Sequence, residues 1–170
     1  MSSTPKTSTL KNRERGILYV NFDGLCEPKN PGGVATYGLI IRADGDILLE
    51  DSGLAYAEPW TDDASNNVAE YSAIIRGLEW LDGKREYHDA PIVIRGDSKL
   101  VINQLKGLFK VKSMRLVELH HRARELLSHF GDVRMEWIDR SQNAEADLQS
   151  RIAYRKYMKS HQGKVARPSF

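Results

Sequence analysis

Apolar positions are thin up to Arg15 and then crowd together. Residues 17–23, ILYVNFD, are dense in β-branched and aromatic side chains and stop against Gly24, which predicts a buried strand with Asp23 at its exit. The EPKNPGG that comes next, with two prolines and two glycines, predicts a loop, and VATYGLIIRADGDILLEDSGL predicts two strands joined at Asp44-Gly45. Helical spacing then takes over. Val68, Ala69, Tyr71, Ile74, Ile75, Leu78 and Leu81 recur on one face of a helix over 66–82, behind the cap candidates Ser65, Asn66 and Asn67. Residues 91–97 read as a short buried strand ending in a second aspartate, Asp97, and 98–105 as a helix directly after it. Beyond the basic link KGLFKVKSMR, the residues Leu116, Leu119, Ala123, Leu126 and Leu127 predict another long helix, stopping at Gly131. A fifth strand over 133–138 and a last helix from Asn143, with Ala146, Leu148, Ile152 and Ala153 as its apolar positions, complete the order βββαβααβα. This is an α/β pattern: a five-stranded mixed sheet flanked by helices, without internal repeats.

A chain of 170 residues, 41% hydrophobic, holds one ordinary domain with a real core. That domain is expected over 17–157, between a disordered basic tail at 1–16 and a basic tail at 158–170. No apolar run approaches the roughly 20 residues of a membrane span, and the polar, Ser/Thr/Lys-rich start has no secretory character. A soluble, cytoplasmic protein is expected, and a monomer. Cys26 is the only cysteine, so no internal disulfide forms; a reducing compartment fits, with Cys26 as a small packed side chain. The net charge of +2 divides unevenly, into +3 for residues 1–16, +5 for 155–170 and −6 for the middle. An acidic middle between basic arms suits a site that gathers cations beside a polyanion, although charged ends also serve plain solubility.

In open α/β sheets ligands gather at the carboxyl ends of the strands, where Asp23 and Asp97 are expected. At this point four motifs fall in one order: FDG with NPGG downstream, NNVAE opening a helix, GDSKLVINQLKG after a strand, and NAEAD opening the last helix. Over about 17–157 the chain resembles type 1 ribonuclease H, and the resemblance implies that fold and cleavage of the RNA strand of an RNA/DNA hybrid, with 5′-phosphate and 3′-hydroxyl products. In such a fold Asp23, Glu70, Asp97 and Asp147 would converge. Four packed carboxylates repel unless cations neutralise them, and an all-oxygen donor set without a cluster of Cys or His favours Mg²⁺, with Mn²⁺ as substitute, over zinc. Two such ions per site are implied. An isolated Asp or Glu is by default a cap or a surface charge; Asp44 and Asp46 keep that default.

The best-known bacterial members carry a His-containing loop before the last helix, whereas this chain has WIDRSQNAEAD. Arg140 stands in the comparable place, suited to gripping phosphate but not to acting as a base. Asn143 is expected to cap the last helix or to orient a metal-bound water, and is counted with the substrate-binding residues. His120 and His121 are expected to be surface and groove residues. For the hybrid, the resemblance implies contacts from Asn30, Asn66 and Asn67 and from the backbone of Gly24 to Cys26 to the 2′-hydroxyls that mark RNA. The stretch 105–116 is too short for the family's basic protrusion. Lys110 and Lys112, with Lys106 and Arg115 around Phe109, form a smaller phosphate patch there or a solvated linker. Double-stranded RNA is a further candidate substrate. Two rival readings stand beside this one: a catalytically silent hybrid-binding module, and another nuclease of the superfamily such as an integrase or junction resolvase.

Overall fold

The structure is a computed structural model that describes residues 16–162; the N-terminal tail through residue 15 and the C-terminal tail from 163 lie outside them. Five strands form one sheet in the order β3-β2-β1-β4-β5, with β1 (Leu18–Glu27), β2 (Val34–Ala43), β3 (Asp46–Leu54), β4 (Ile92–Gly96) and β5 (Val133–Trp137). The first three form an antiparallel meander, and β1, β4 and β5 run parallel, so the sheet is mixed. Asp44 and Gly45 both take positive φ in the β2–β3 turn, as the Asp-Gly signal predicts. Helices α1 (Asn66–Asp82), α2 (Lys99–Leu105), α3 (Met114–Leu127) and α4 (Ala144–Ser160) complete the expected element order. No helix among the described residues is long and apolar enough to cross a membrane.

The alternation of strand side chains sorts the helices into two layers. Gly77 of α1 packs against Val20 and Leu39 on one face of the sheet, while Gly38, adjacent to Leu39 and so on the opposite face, meets Ala146 and Ser150 of α4. The core is continuous through β1, β2, β4 and α1 and extends to Leu116, Leu119, Ala123 and Leu126 of α3. A buried hydrogen bond of 2.8 Å from the Tyr71 hydroxyl to Gln104 Oε1 ties α1 to α2.

Three boundaries and the buried face of one helix differ from the sequence reading. Strand β1 does not stop at Asp23: Gly24 to Glu27 keep pairing with β2, whereas pairing with β4 ends at Asn21 and Arg95. Asp23 therefore lies past the point where the parallel strands part, still at the carboxyl end that matters for a site. Helix α3 ends at Leu127 with Ser128 as its cap, short of Gly131. In α4 the buried positions are Ala146, Ser150 and Ala153, whereas Leu148 and Ile152 are 51% and 41% exposed. The helix lies so close to the sheet that only small side chains fit beneath it. Helix α4 also runs to Ser160, so the tail expected from 158 begins inside it.

Candidate active site

The end of the sheet where β1 and β4 separate holds a cleft of about 310 Å³ lined by Asp23, Glu70, Asp97 and Asp147, with Asn66, Arg140 and Arg151 at its rim. Each carboxylate arrives on a different element. Asp23 extends from β1 on the α4 face, and Asp97 follows β4 immediately before Ser98, whose Oγ accepts from the Val101 amide and starts α2. Glu70 sits in the second turn of α1. That helix begins at Ser65, whose Oγ accepts from the Val68 amide, so neither Asn66 nor Asn67 is the cap. Its approach to β1 depends on Gly24, where a Cβ would come within 2.5 Å of the Glu70 nitrogen and 2.7 Å of the Asn66 carbonyl oxygen. Asp147 occupies the first turn of α4, where the helix dipole favours negative charge.

The electrostatics of the cleft are set by burial of its carboxylates and by their mutual repulsion. Burial, then repulsion from Asp97, pushes the Asp23 carboxyl up to about 7, against the opposing hydrogen bond from Ser150. Glu70 is pushed well above the usual carboxylate range by burial, and further by Asp23 and Asp97. Its Oε2 is buried and has no hydrogen-bond partner, and an orphaned buried acceptor is costly. Among the described residues, no three such side chains are drawn together tightly enough to hold an ion by themselves. Mg²⁺ retains several waters and binds proteins through one or two carboxylates plus substrate phosphate, so a hard divalent cation fits this donor set with the remaining ligands drawn from water and phosphate.

The supporting residues bring one correction. Asn143 is the N-terminal cap residue of α4, but its side chain makes no capping bond and is 2% exposed. Its Nδ2 donates instead to the Phe22 carbonyl at 2.8 Å and to Asp97 Oδ1 at 3.0 Å, and its Oδ1 accepts from Asn21 Nδ2 at 3.2 Å. Buried in this way, it is not available to nucleic acid. The 3₁₀ turn Arg140–Gln142 is held by reciprocal hydrogen bonds between Asp139 and Gln142, and this turn brings Arg140 to the cleft. Sequence reasoning missed three neighbours. Ser150 Oγ lies 3.0 Å from Asp23 Oδ2 and 2.7 Å from the Asp147 carbonyl, its one proton serving either. Arg151 Nε pairs with Asp147 Oδ2 at 3.1 Å, an i,i+4 spacing that the sequence does display. Asn21, in the middle of an apolar strand, gave no such signal.

The residues expected to meet substrate scatter around this cleft. Gly24, Cys26 and Asn66 line it. The Cys26 side chain, however, is buried and donates its thiol to the Lys29 and Ala64 carbonyls, which agrees with a packed cysteine. Asn30 Oδ1 accepts from the Asn66 amide at 3.0 Å, and Asn67 opens with Asn30 onto a neighbouring cleft. Lys110 and Lys112 line a separate groove, of about 650 Å³, with Leu100, Leu108, Phe109 and Leu116. Arg115 does not join them, because its guanidinium donates to the Tyr56 carbonyl and pairs with Glu118. His120 packs edge-on against Tyr71, with its Nε2 3.1 Å from the Gln104 carbonyl, and does not line the carboxylate cleft.

Residues 21–153 match a family model described as reverse transcriptase-like. A ribonuclease HI of Halobacterium salinarum is 33% identical over 146 residues, covering 86% of this chain and 68% of that protein. A bifunctional protein of Mycobacterium tuberculosis is 37% identical over 119 residues, 69% of this chain, so the chain spans only 30% of that relative's length. The N-terminal RNase H domain of the mycobacterial protein superposes with a TM-score of 0.74 at 28% identity, covering 85% of this chain and 98% of that domain structure. LC11-RNase H1, solved in complex with an RNA/DNA hybrid, superposes with a TM-score of 0.71 at 30% identity over 84% of this chain and 98% of that one.

Proposed function

Because the chain belongs to the type 1 ribonuclease H family, we propose that it is an endoribonuclease that hydrolyses the RNA strand of RNA/DNA hybrids, leaving 5′-phosphate and 3′-hydroxyl ends. The observation that carries this reading is the convergence of Asp23, Glu70, Asp97 and Asp147 on one cleft, with Asp23 and Glu70 both pushed up by burial and by repulsion among these carboxylates, which bound cations would offset. These four would hold two Mg²⁺ ions, or Mn²⁺ in their place. The chemistry such a pair of ions would supply when bound is activation of a water and stabilisation of the departing 3′ oxygen.

The chain's own residues supply the rest. Arg140, at the rim, grips a phosphate oxygen and so positions the strand or releases the product; a guanidinium stays protonated and takes no part as a base. Arg151 holds Asp147 in place. Asn30, Asn66 and Asn67, with the backbone at Gly24 to Cys26, offer the donors and acceptors that a 2′-hydroxyl needs. Lys110 and Lys112 meet the phosphates of the DNA strand from the neighbouring groove, a contact that reads no base sequence. Double-stranded RNA, which also carries 2′-hydroxyls, is a secondary substrate candidate. The lone cysteine fits action in the reducing cytoplasm, and each monomer carries a complete site, with the catalytic domain over 17–157 between basic tails.

The test is a cleavage assay on end-labelled hybrid, double-stranded RNA and duplex DNA, with Mg²⁺, with Mn²⁺ and with chelator. Metal-dependent cutting of the RNA in the hybrid, and none of duplex DNA, is expected. Cutting of duplex DNA would move the chain to the integrase-like readings, and binding of hybrid without cutting would make it a silent binding module.

A further inference from the structure

Asn143 touches three of the four elements that carry the carboxylates. Its backbone carbonyl accepts from the Asp147 amide at 3.1 Å on α4. Its Nδ2 uses one proton on the carbonyl of Phe22, the residue before Asp23, and the other on Asp97 Oδ1 beyond β4. A side-chain amide has two donor hydrogens, and both are taken. The orientation is itself fixed: Nδ2 faces two acceptors and Oδ1 faces the Asn21 donor, so a flipped amide would set an oxygen against Phe22 O and the Asp97 carboxylate. A cap residue with a merely structural role would bond the free amides of its own helix, and this side chain does not.

We propose that Asn143, its amide oriented by Asn21, is a positioning residue that fixes Asp97 relative to Asp23 and thereby sets the affinity of the cleft for divalent cations. This rests on the reading above that the carboxylates hold such ions. Asn21 extends from β1 on the same face as Asp23, and among the described residues its side chain hydrogen-bonds only Asn143, so its contribution runs through Asn143. Groups that orient metal ligands are worth about 10- to 100-fold in metal affinity when removed.

The experiment is calorimetric titration of Mn²⁺ into the full-length chain without nucleic acid, for wild type, Asn143→Ala and Asn21→Ala, with Asp97→Asn locating the binding at the cleft. Hybrid cleavage at varied Mn²⁺ is measured alongside. Asn143→Ala is expected to weaken Mn²⁺ binding about 10-fold or more, to raise the Mn²⁺ needed for half-maximal cleavage in parallel, and to leave KM for hybrid within about twofold. Asn21→Ala shifts both metal readouts in the same direction by less, because the freed amide spends part of its time flipped. If Asn143→Ala does not fold, Asn21→Ala decides. Unchanged Mn²⁺ affinity in either folded variant, or a raised KM with metal binding intact, overturns the proposal. So does wild-type Mn²⁺ binding that Asp97→Asn leaves untouched. A wild type that binds Mn²⁺ at the cleft but cuts no hybrid defeats the proposed activity instead, and the titrations still judge Asn143.

Discussion

Substituting Gly38 by alanine perturbs the site without altering any of its side chains. Gly38 is the register partner of Asp23 across β1 and β2. A Cβ there would lie 2.0 Å from the Ala146 carbonyl oxygen, 2.6 Å from the Ser150 nitrogen and 2.9 Å from Gln149 Cβ. The first two are backbone atoms, so no rotamer change relieves the clash. Ordinary contact begins near 3.4 Å, so α4 must retreat by about 1.4 Å, the difference between 3.4 and 2.0 Å. Asp147 and Ser150 retreat with it, away from Asp23. Overpacking of this kind costs about 1–3 kcal/mol, which outweighs the ~0.4–1 kcal/mol that losing a glycine returns through the unfolded chain. At roughly 2–4 °C per kcal/mol for a chain of this size, the melting temperature drops by several degrees. A misplacement of about 1 Å at a reacting centre costs on the order of 100-fold in rate. Circular dichroism melting and single-turnover cleavage of labelled hybrid read the two effects separately. A Gly38→Ala protein that melts and cleaves as wild type does would refute the claim that close backbone packing of α4 on β2 places Asp147.

Further outcomes follow from the same geometry. Asp23 titrates near 7 in the fold against an ordinary 3.8, so between those values the folded state binds more protons than the unfolded chain and stability falls as pH rises. In chelator the melting temperature is therefore higher at pH 5 than at pH 8, Asp23→Asn flattens that slope, and Mg²⁺ raises the pH 8 value; a wild-type slope in the variant would contradict the assignment. Arg140→Ala lowers kcat while leaving the melting temperature near wild type, since its side chain is exposed at the cleft rim; an unchanged kcat removes it from the phosphate. Replacing Lys110 and Lys112 together by alanine reduces the slope of log affinity for hybrid against log salt by up to about 2, at ~0.9 per lost phosphate contact. An unaltered slope leaves their groove without a role in hybrid binding.

The element order was legible because periodicity changes at each boundary, as at the Asp44-Gly45 hairpin and at Asp97, where a strand run gives way to a helix; Glu70 and Asp147 were singled out by the motifs that carry the family resemblance, NNVAE and NAEAD. What depends on how closely layers approach was not. Leu148 and Ile152 fit a helical period as well as any core residue, yet the small cross-section that Gly38 imposes hands the buried face of α4 to Ala146, Ser150 and Ala153. Strand β1 outruns its apolar stretch because β2 supplies backbone partners as far as Glu27, which side-chain pattern does not record. Asn143 resembles a cap in sequence, since the residue type and place are right; only the fold brings Phe22, Asn21 and Asp97 within reach to claim its amide first. Ser150 and Asn21 stayed hidden for the same reason, being defined by partners over a hundred positions away.

The account is tested most directly by crystals of the Asp147→Asn protein, slowed for trapping, grown with RNA/DNA hybrid and Mn²⁺ and measured for anomalous scattering. Two peaks about 4 Å apart, bridged by the scissile phosphate and contacted by Asp23, Glu70 and Asp97, are predicted. Manganese bound elsewhere, or hybrid seated with its RNA strand away from these carboxylates, would contradict it.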